Sequence, residues 1–125
     1  DGLLGGPIRI LGNGKIIRSY LYGSDLAYWL LTVLVKGEIG EIYNIGSSES
    51  VTLNELSKRI KSFVSSNIEI SYKSSKDEYH TSLSTIPDLS KIKSKLKVQE
   101  KFSLDESIFQ TIAWNKINIT TKTEK

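Results

Sequence analysis

Two residue types never occur in the 125-residue chain: cysteine and methionine. Without cysteine there is no disulfide scaffold, no thiolate metal ligand and no cysteine nucleophile, and the composition suits a reducing compartment. A single histidine, His80, rules out a multi-histidine metal centre. Methionine starts translated chains and commonly fills cores. Its absence, with an opening Asp1-Gly2-Leu3-Leu4-Gly5-Gly6 that reads as the tail of an element already under way, leads us to expect a piece of something longer. The longest apolar run, Leu26 to Val35, is about half the ~20 residues that a membrane-spanning helix needs. The first residues do not read as a secretory signal.

What is present suits one packed domain: 38% of residues are hydrophobic and 25% charged. The formal net charge is +3, and only three of the 17 basic residues are arginine. The densest run, Lys91, Lys93, Lys95, Lys97 and Lys101, has a spacing of two that scatters its charges around a helix. It lacks interleaved arginine or aromatic platforms, so it reads as a solvated face and no nucleic-acid partner is expected.

Periodicity suggests an α/β chain of short strands and helices. Ile8 to Leu11 and Ile16 to Tyr22 read as two strands of a β-hairpin, joined by Gly12-Asn13-Gly14-Lys15, because Asn-Gly supplies the positive φ of a tight turn. In the second strand Arg18, Tyr20 and Tyr22 fall on one face. A helix follows from about Leu26 to Val35, capped by Ser24 or Asp25. Leu26, Trp29, Leu30, Val33 and Leu34 form one face, yet Ala27, Tyr28, Leu31, Thr32 and Val35 opposite are hardly polar. A helix apolar all round needs cover on more than one side. Glu41 to Ile45 reads as a strand. Thr52 and Glu55 form a capping box that opens a helix with Leu53, Leu56, Ile60, Phe63 and Val64 on one face. Ile68 to Tyr72 is a further strand, and Lys73 to Thr85 a polar loop that contains His80. Pro87-Asp88 starts a helix with Leu89, Ile92 and Leu96 inward. A second capping box, Ser103 with Glu106, opens the last helix, with Leu104, Ile108, Ile112 and Trp114 as buried candidates. From about Ile117 a polar tail is expected to fray.

Few residues carry chemistry. Gly12-Asn13-Gly14-Lys15 lacks phosphate-loop spacing, and no Gly-x-Gly-x-x-Gly occurs. His80 reads as a surface histidine. Arg18, mid-strand between Ile17 and Tyr20, offers a fixed fork of donors to a phosphate or carboxylate, or to a salt bridge across the hairpin.

Several motifs in order carry a family resemblance: Pro7-Ile8-Arg9-Ile10-Leu11-Gly12-Asn13-Gly14, Arg18-Ser19-Tyr20-Leu21-Tyr22, and Tyr43-Asn44-Ile45-Gly46. Thr52-Leu53-Asn54-Glu55-Leu56, Pro87-Asp88-Leu89-Ser90-Lys91 and Leu104-Asp105-Glu106, with Thr111-Ile112-Ala113-Trp114, continue it. Over residues 1–115 the chain resembles the C-terminal part of extended short-chain dehydrogenases, the NAD-dependent nucleotide-sugar epimerases and dehydratases. The Arg18 to Tyr22 form is most similar to their dTDP-glucose 4,6-dehydratase branch.

The resemblance implies that residues 1–116 are a C-terminal substrate-binding region and 117–125 a tail. It implies that 26–45 supply a helix and a strand that complete a Rossmann domain absent from the chain. Arg18 would bind the diphosphate of a nucleoside-diphosphate sugar, Arg9 and Leu11 would flank the base, and Tyr20 would share the cleft wall. NAD would belong to the full-length parent only. The glycine-rich loop, the Tyr-x-x-x-Lys pair and the active-site Ser/Thr lie upstream in such enzymes, so no catalytic, cofactor or metal residue is expected in this chain, which alone would be inactive. The family implies a cytoplasmic setting and no membrane partner, and leaves homo-oligomerisation open. Two departures stand out: Ser19 replaces a usual Asp, and Lys73 to His80 lacks the family's second arginine, for which Lys73 or Lys76 substitutes only loosely. The alternative is a non-catalytic module that binds a partner through helix 26–35.

Overall fold

The computed structural model describes residues 2–65, 67–73 and 84–123, and the chain is α/β, as expected. A 3-10 turn (Gly2–Leu4) leads into β1 (Ile8–Leu11). Then come β2 (Ile17–Ser19), α1 (Gly23–Lys36), β3 (Ser50–Thr52) and α2 (Leu53–Val64). The chain closes with β4 (Ile70–Lys73), α3 (Ser90–Leu96) and α4 (Leu104–Thr123).

The expected hairpin does not form. β1 pairs in parallel with β4, Ile8 opposite Ile70 and Leu11 opposite Lys73. β2 pairs antiparallel with β3, Arg18 opposite Val51. The two strands read as hairpin partners therefore sit in different two-stranded sheets. The reason lies in Gly12 and Gly14, whose φ values of 88° and 70° serve long-range contacts rather than a tight turn. Gly12 N–H donates to Lys73 O at 3.0 Å, which extends the parallel ladder. Gly14 lies against α2, where a Cβ would collide with the Asn54 carboxamide, and its carbonyl accepts from Asn54 N–H at 3.1 Å. Positive φ was legible in the sequence; its use was not.

Two apolar clusters make the core. Trp29, Leu89, Ile92 and Val98 form the first, with Leu21, Tyr43 and Ile45 against it. Val51, Leu104, Ile108 and Ile112 form the second, with Tyr20, Leu56, Ile60 and Phe63 against it. In α1 the buried residues are Asp25, Trp29 and Thr32. Leu26, Leu30 and Leu34 of the expected inner face are exposed, as are Leu31 and Val35 beyond them. Neither Ser24 nor Asp25 caps α1: the N-cap is Tyr22, with no side-chain cap bond. Asp25 is instead an internal anchor, its Oδ2 accepting from the N–H groups of Lys101 (2.9 Å) and Phe102 (3.1 Å).

Residues 41–45 form no strand, although Tyr43 and Ile45 turn toward Trp29 while Ile42 faces out. Both capping boxes are present. Thr52 accepts from Glu55 N–H at 3.1 Å and Glu55 accepts from Thr52 N–H at 2.8 Å. Ser103 and Glu106 repeat the exchange. Trp114, expected inside, is 68% exposed, because the core side of α4 is taken by Leu104, Ile108 and Ile112. The expected tail does not begin at Ile117: α4 continues to Thr123. His80 and Lys76 lie outside the described residues.

Candidate functional site

Arg18 occupies the middle of β2, its backbone flanked by Val51 on one side and bridged to Thr85 on the other. Its side chain is half-buried. Nη1 donates to Ile17 O at 3.1 Å and to Thr85 Oγ1 at 3.4 Å. The guanidinium is thus tethered at the junction of three chain segments, which limits the rotamer entropy lost on gripping an anion. Thr85 was not singled out in the sequence; no local pattern marks a residue that acts through a bridge 67 positions away.

Arg9 and Leu11 alternate with buried Ile10, so both project from the exposed side of β1, Leu11 at 75% exposure. The register sets Ser71 beside Arg9 and Lys73 beside Leu11. In a parallel pair such neighbours share a face, so Arg9 and Lys73 place two cations on one surface. Arg9 and Leu11 are together on one sheet and Arg18 stands on the other. Tyr20 is turned toward the Val51 cluster rather than lining a wall beside Arg18.

Two surface clefts stand out among the described residues. One, of about 530 Å³, opens at the start of β1 and is lined by Gly2, Leu3, Pro7, Val64, Ile68 and Lys116 among others. The second, of about 270 Å³, lies between Phe63, Phe102 and Phe109. Neither includes Arg9, Leu11 or Arg18.

The strongest electrostatic feature lies elsewhere. Burial would push the Glu100 carboxyl up, yet hydrogen bonds from Ser47 and Ser48 and the Lys93 ammonium outweigh it and hold the group at about 2. Ser47 Oγ donates at 2.5 Å, Ser48 N–H at 3.0 Å and Lys93 Nζ at 3.2 Å. This carboxylate ties the 47–48 loop to the α3–α4 connection, a structural role. The lysines of α3 are likewise engaged: Lys91 with Glu41 and Lys95 with Glu38. That agrees with a solvated, internally paired face.

A dinucleotide needs a strand, a glycine turn and a helix N-terminus with N–H groups free for its pyrophosphate. Gly12 and Gly14 link two strands instead. At the start of α2, Leu53 N–H donates to Ile16 O, Asn54 N–H to Gly14 O and Glu55 N–H to Thr52 Oγ1. Neither the Gly12-Asn13-Gly14 turn nor the start of α2 therefore offers free N–H groups to a dinucleotide pyrophosphate. The described residues also include no group of three or more His, Asp or Glu able to hold a metal ion, and no helix long and apolar enough to cross a membrane.

Residues 2–46 match the NAD dependent epimerase/dehydratase family. A trifunctional UDP-glucose 4,6-dehydratase/UDP-4-keto-6-deoxy-D-glucose 3,5-epimerase/UDP-4-keto-L-rhamnose-reductase of Arabidopsis thaliana is 32% identical over 110 residues, 88% of this chain and 16% of that protein. A dTDP-glucose 4,6-dehydratase of Haemophilus influenzae is 30% identical over 131 residues, 94% of this chain and 38% of that one. Among solved structures, a UDP-glucose 4-epimerase of Thermotoga maritima with UDP-glucose superposes with a TM-score of 0.83 at 30% identity, covering 94% of this chain and 37% of the epimerase. The chain thus spans well under half the length of each of these proteins.

Proposed function

The chain belongs to the NAD dependent epimerase/dehydratase family, and on that premise we propose that it is the nucleotide-sugar-binding portion of such an enzyme, with Arg18 gripping the diphosphate. The observation that carries this reading is the placement of Arg18: mid-strand, half-buried, its guanidinium held by Thr85 and Ile17 in a fixed pose. A planar fork of donors matches two linked phosphoryl groups better than a lysine would. Arg9 and Leu11 flank the base along the exposed side of β1, and Lys73 adds a charge on the same side.

Hydride transfer belongs to the dinucleotide-binding part of the parent enzyme, which holds NAD. This chain binds and orients. Fixing the nucleotide end holds the sugar in register with a reacting centre supplied from outside the chain, which converts binding energy into rate. The outer side of α1, where Leu30, Leu31, Leu34 and Val35 are exposed, is the face that packs on that part. The setting is cytoplasmic nucleotide-sugar metabolism that feeds polysaccharide synthesis.

Calorimetric titration with UDP, dTDP and uridine tests the reading. A diphosphate should bind at least ~10-fold tighter than the bare nucleoside, because a charge-assisted bidentate contact contributes more than 1.4 kcal/mol. Equal binding of UDP and uridine would remove the diphosphate grip.

A further inference from the structure

We propose that Asn13 is a site of covalent self-modification: the Gly14 nitrogen attacks its side-chain amide, ammonia leaves, and aspartate or isoaspartate remains at position 13. Of the six asparagines, Asn13 alone is followed by glycine. Without a Cβ, Gly14 leaves the approach of its nitrogen uncrowded and tolerates its φ of 70°. Asn13 is exposed to water. Its Oδ1 accepts from Lys15 N–H at 3.0 Å, an Asx turn that folds the carboxamide back along the following peptide. That N–H is aimed at the oxygen on which negative charge develops during the attack, so it serves as an oxyanion donor.

The other five asparagines lack this combination. Isoleucine follows Asn44, Asn67 and Asn118, and its branched side chain crowds the nitrogen. Asn54 and Asn115 stand in helices, where the next N–H is engaged, that of Glu55 with Thr52 Oγ1. The Nδ2 groups of Asn44, Asn115 and Asn118 are held by the carbonyls of Asp88, Thr111 and Trp114. At Asn13 the steps balance as follows. Hydroxide takes the Gly14 N–H proton, the nitrogen bonds to Asn13 Cγ, and the Cγ–Nδ2 bond breaks. Nδ2 takes a proton from water and leaves as ammonia, which restores the hydroxide. Water then opens the cyclic imide. Cleavage of the new bond at Cγ gives aspartate, and cleavage at the main-chain carbonyl gives isoaspartate.

Gly14 is buried against Asn54, so its N–H reacts when this joint opens locally. The joint is weakly held. Asn54 Oδ1 is buried with no hydrogen-bond partner among the described residues, and Asn54 Nδ2 reaches Asn13 O only at 3.4 Å. The two products differ in what they do to the fold. Aspartate keeps the main chain and an oxygen for Lys15 N–H. Isoaspartate routes the main chain through Cβ and Cγ, which inserts one atom before Gly14. On one side Gly12 N–H is tied to Lys73 O at 3.0 Å, and on the other Gly14 O is tied to Asn54 N–H at 3.1 Å. The longer link does not fit between both anchors. One lets go, and the junction of β1 with β4 and α2 loosens.

Incubation of the full chain at mildly alkaline pH, followed by peptide mapping by mass spectrometry and labelling with an isoaspartyl methyltransferase, tests this. Position 13 should be converted while the other five asparagines stay intact, at a rate that rises with hydroxide concentration. Asn54→Ala should speed the conversion, because it uncovers Gly14, and circular dichroism confirms that this variant is folded. The separated isoaspartate product should melt a few degrees below the unreacted protein, the effect of losing about one hydrogen bond. Asn13→Asp should melt with the unreacted protein. Conversion at position 13 no faster than at the other asparagines, a rate unmoved by Asn54→Ala, or an isoaspartate product as stable as the unreacted protein would each overturn the proposal.

Discussion

The two halves of the core are built by different means. The Val51 cluster rests on local rules: α2 and α4 each open with a capping box and each presents a helical stripe to the other. The Trp29 cluster rests on links between distant segments. Trp29 Nε1–H donates to Gln99 O at 3.2 Å, Asp25 accepts from residues 101 and 102, and Glu100 gathers Ser47, Ser48 and Lys93. Its helix, α1, keeps a broad apolar side uncovered. The contrast teaches that the Trp29 half depends on a few long-range contacts and the Val51 half on many short-range ones, so single substitutions should hurt the Trp29 half more.

Trp29→Ala should break the comparison hardest. It removes the largest fully buried side chain and its hydrogen bond, at a cost of about 3–5 kcal/mol in chemical denaturation. Glu100→Gln comes next, at about 1–3 kcal/mol, because buried Ser47, with Ser48 and Lys93, loses a charged acceptor. Its pH signature is specific. The folded carboxyl titrates near 2 against an ordinary 4.5, so its stabilisation is complete above the ordinary value and is lost as pH falls toward the folded one. The variant should flatten that acid limb in pH-dependent melts. Thr52→Ala should have the smallest effect, about 0.5–2 kcal/mol, because it removes one cap from a helix that packing also holds. A Thr52→Ala loss that exceeds that of Trp29→Ala would reverse the contrast.

The same division explains what the sequence made legible. Both capping boxes, the α2 stripe and the inward Leu89, Ile92 and Leu96 follow from spacing alone, because caps and helical stripes are local. The hairpin reading failed where Gly12-Asn13-Gly14 obeys remote partners, Lys73 O and Asn54, that no window around the turn contains. Asp25 looked like a cap because its two partners are 76 and 77 residues away. Trp114 was placed inside on hydrophobicity, although three aliphatic residues already fill that side of α4. At the candidate site, Arg18 stood out as a rare arginine in a strand. Thr85, which holds it, has no local signature.

The central claim is that the Arg18 guanidinium meets the diphosphate. NMR of its side-chain Nε–H, assigned with Arg18→Lys, tests this most directly as UDP or uridine is added. The account predicts a shift of that resonance with UDP and none with uridine, and a loss of UDP affinity of about tenfold in Arg18→Ala. Binding of UDP with the Arg18 resonance unmoved and the affinity of Arg18→Ala unchanged would contradict it.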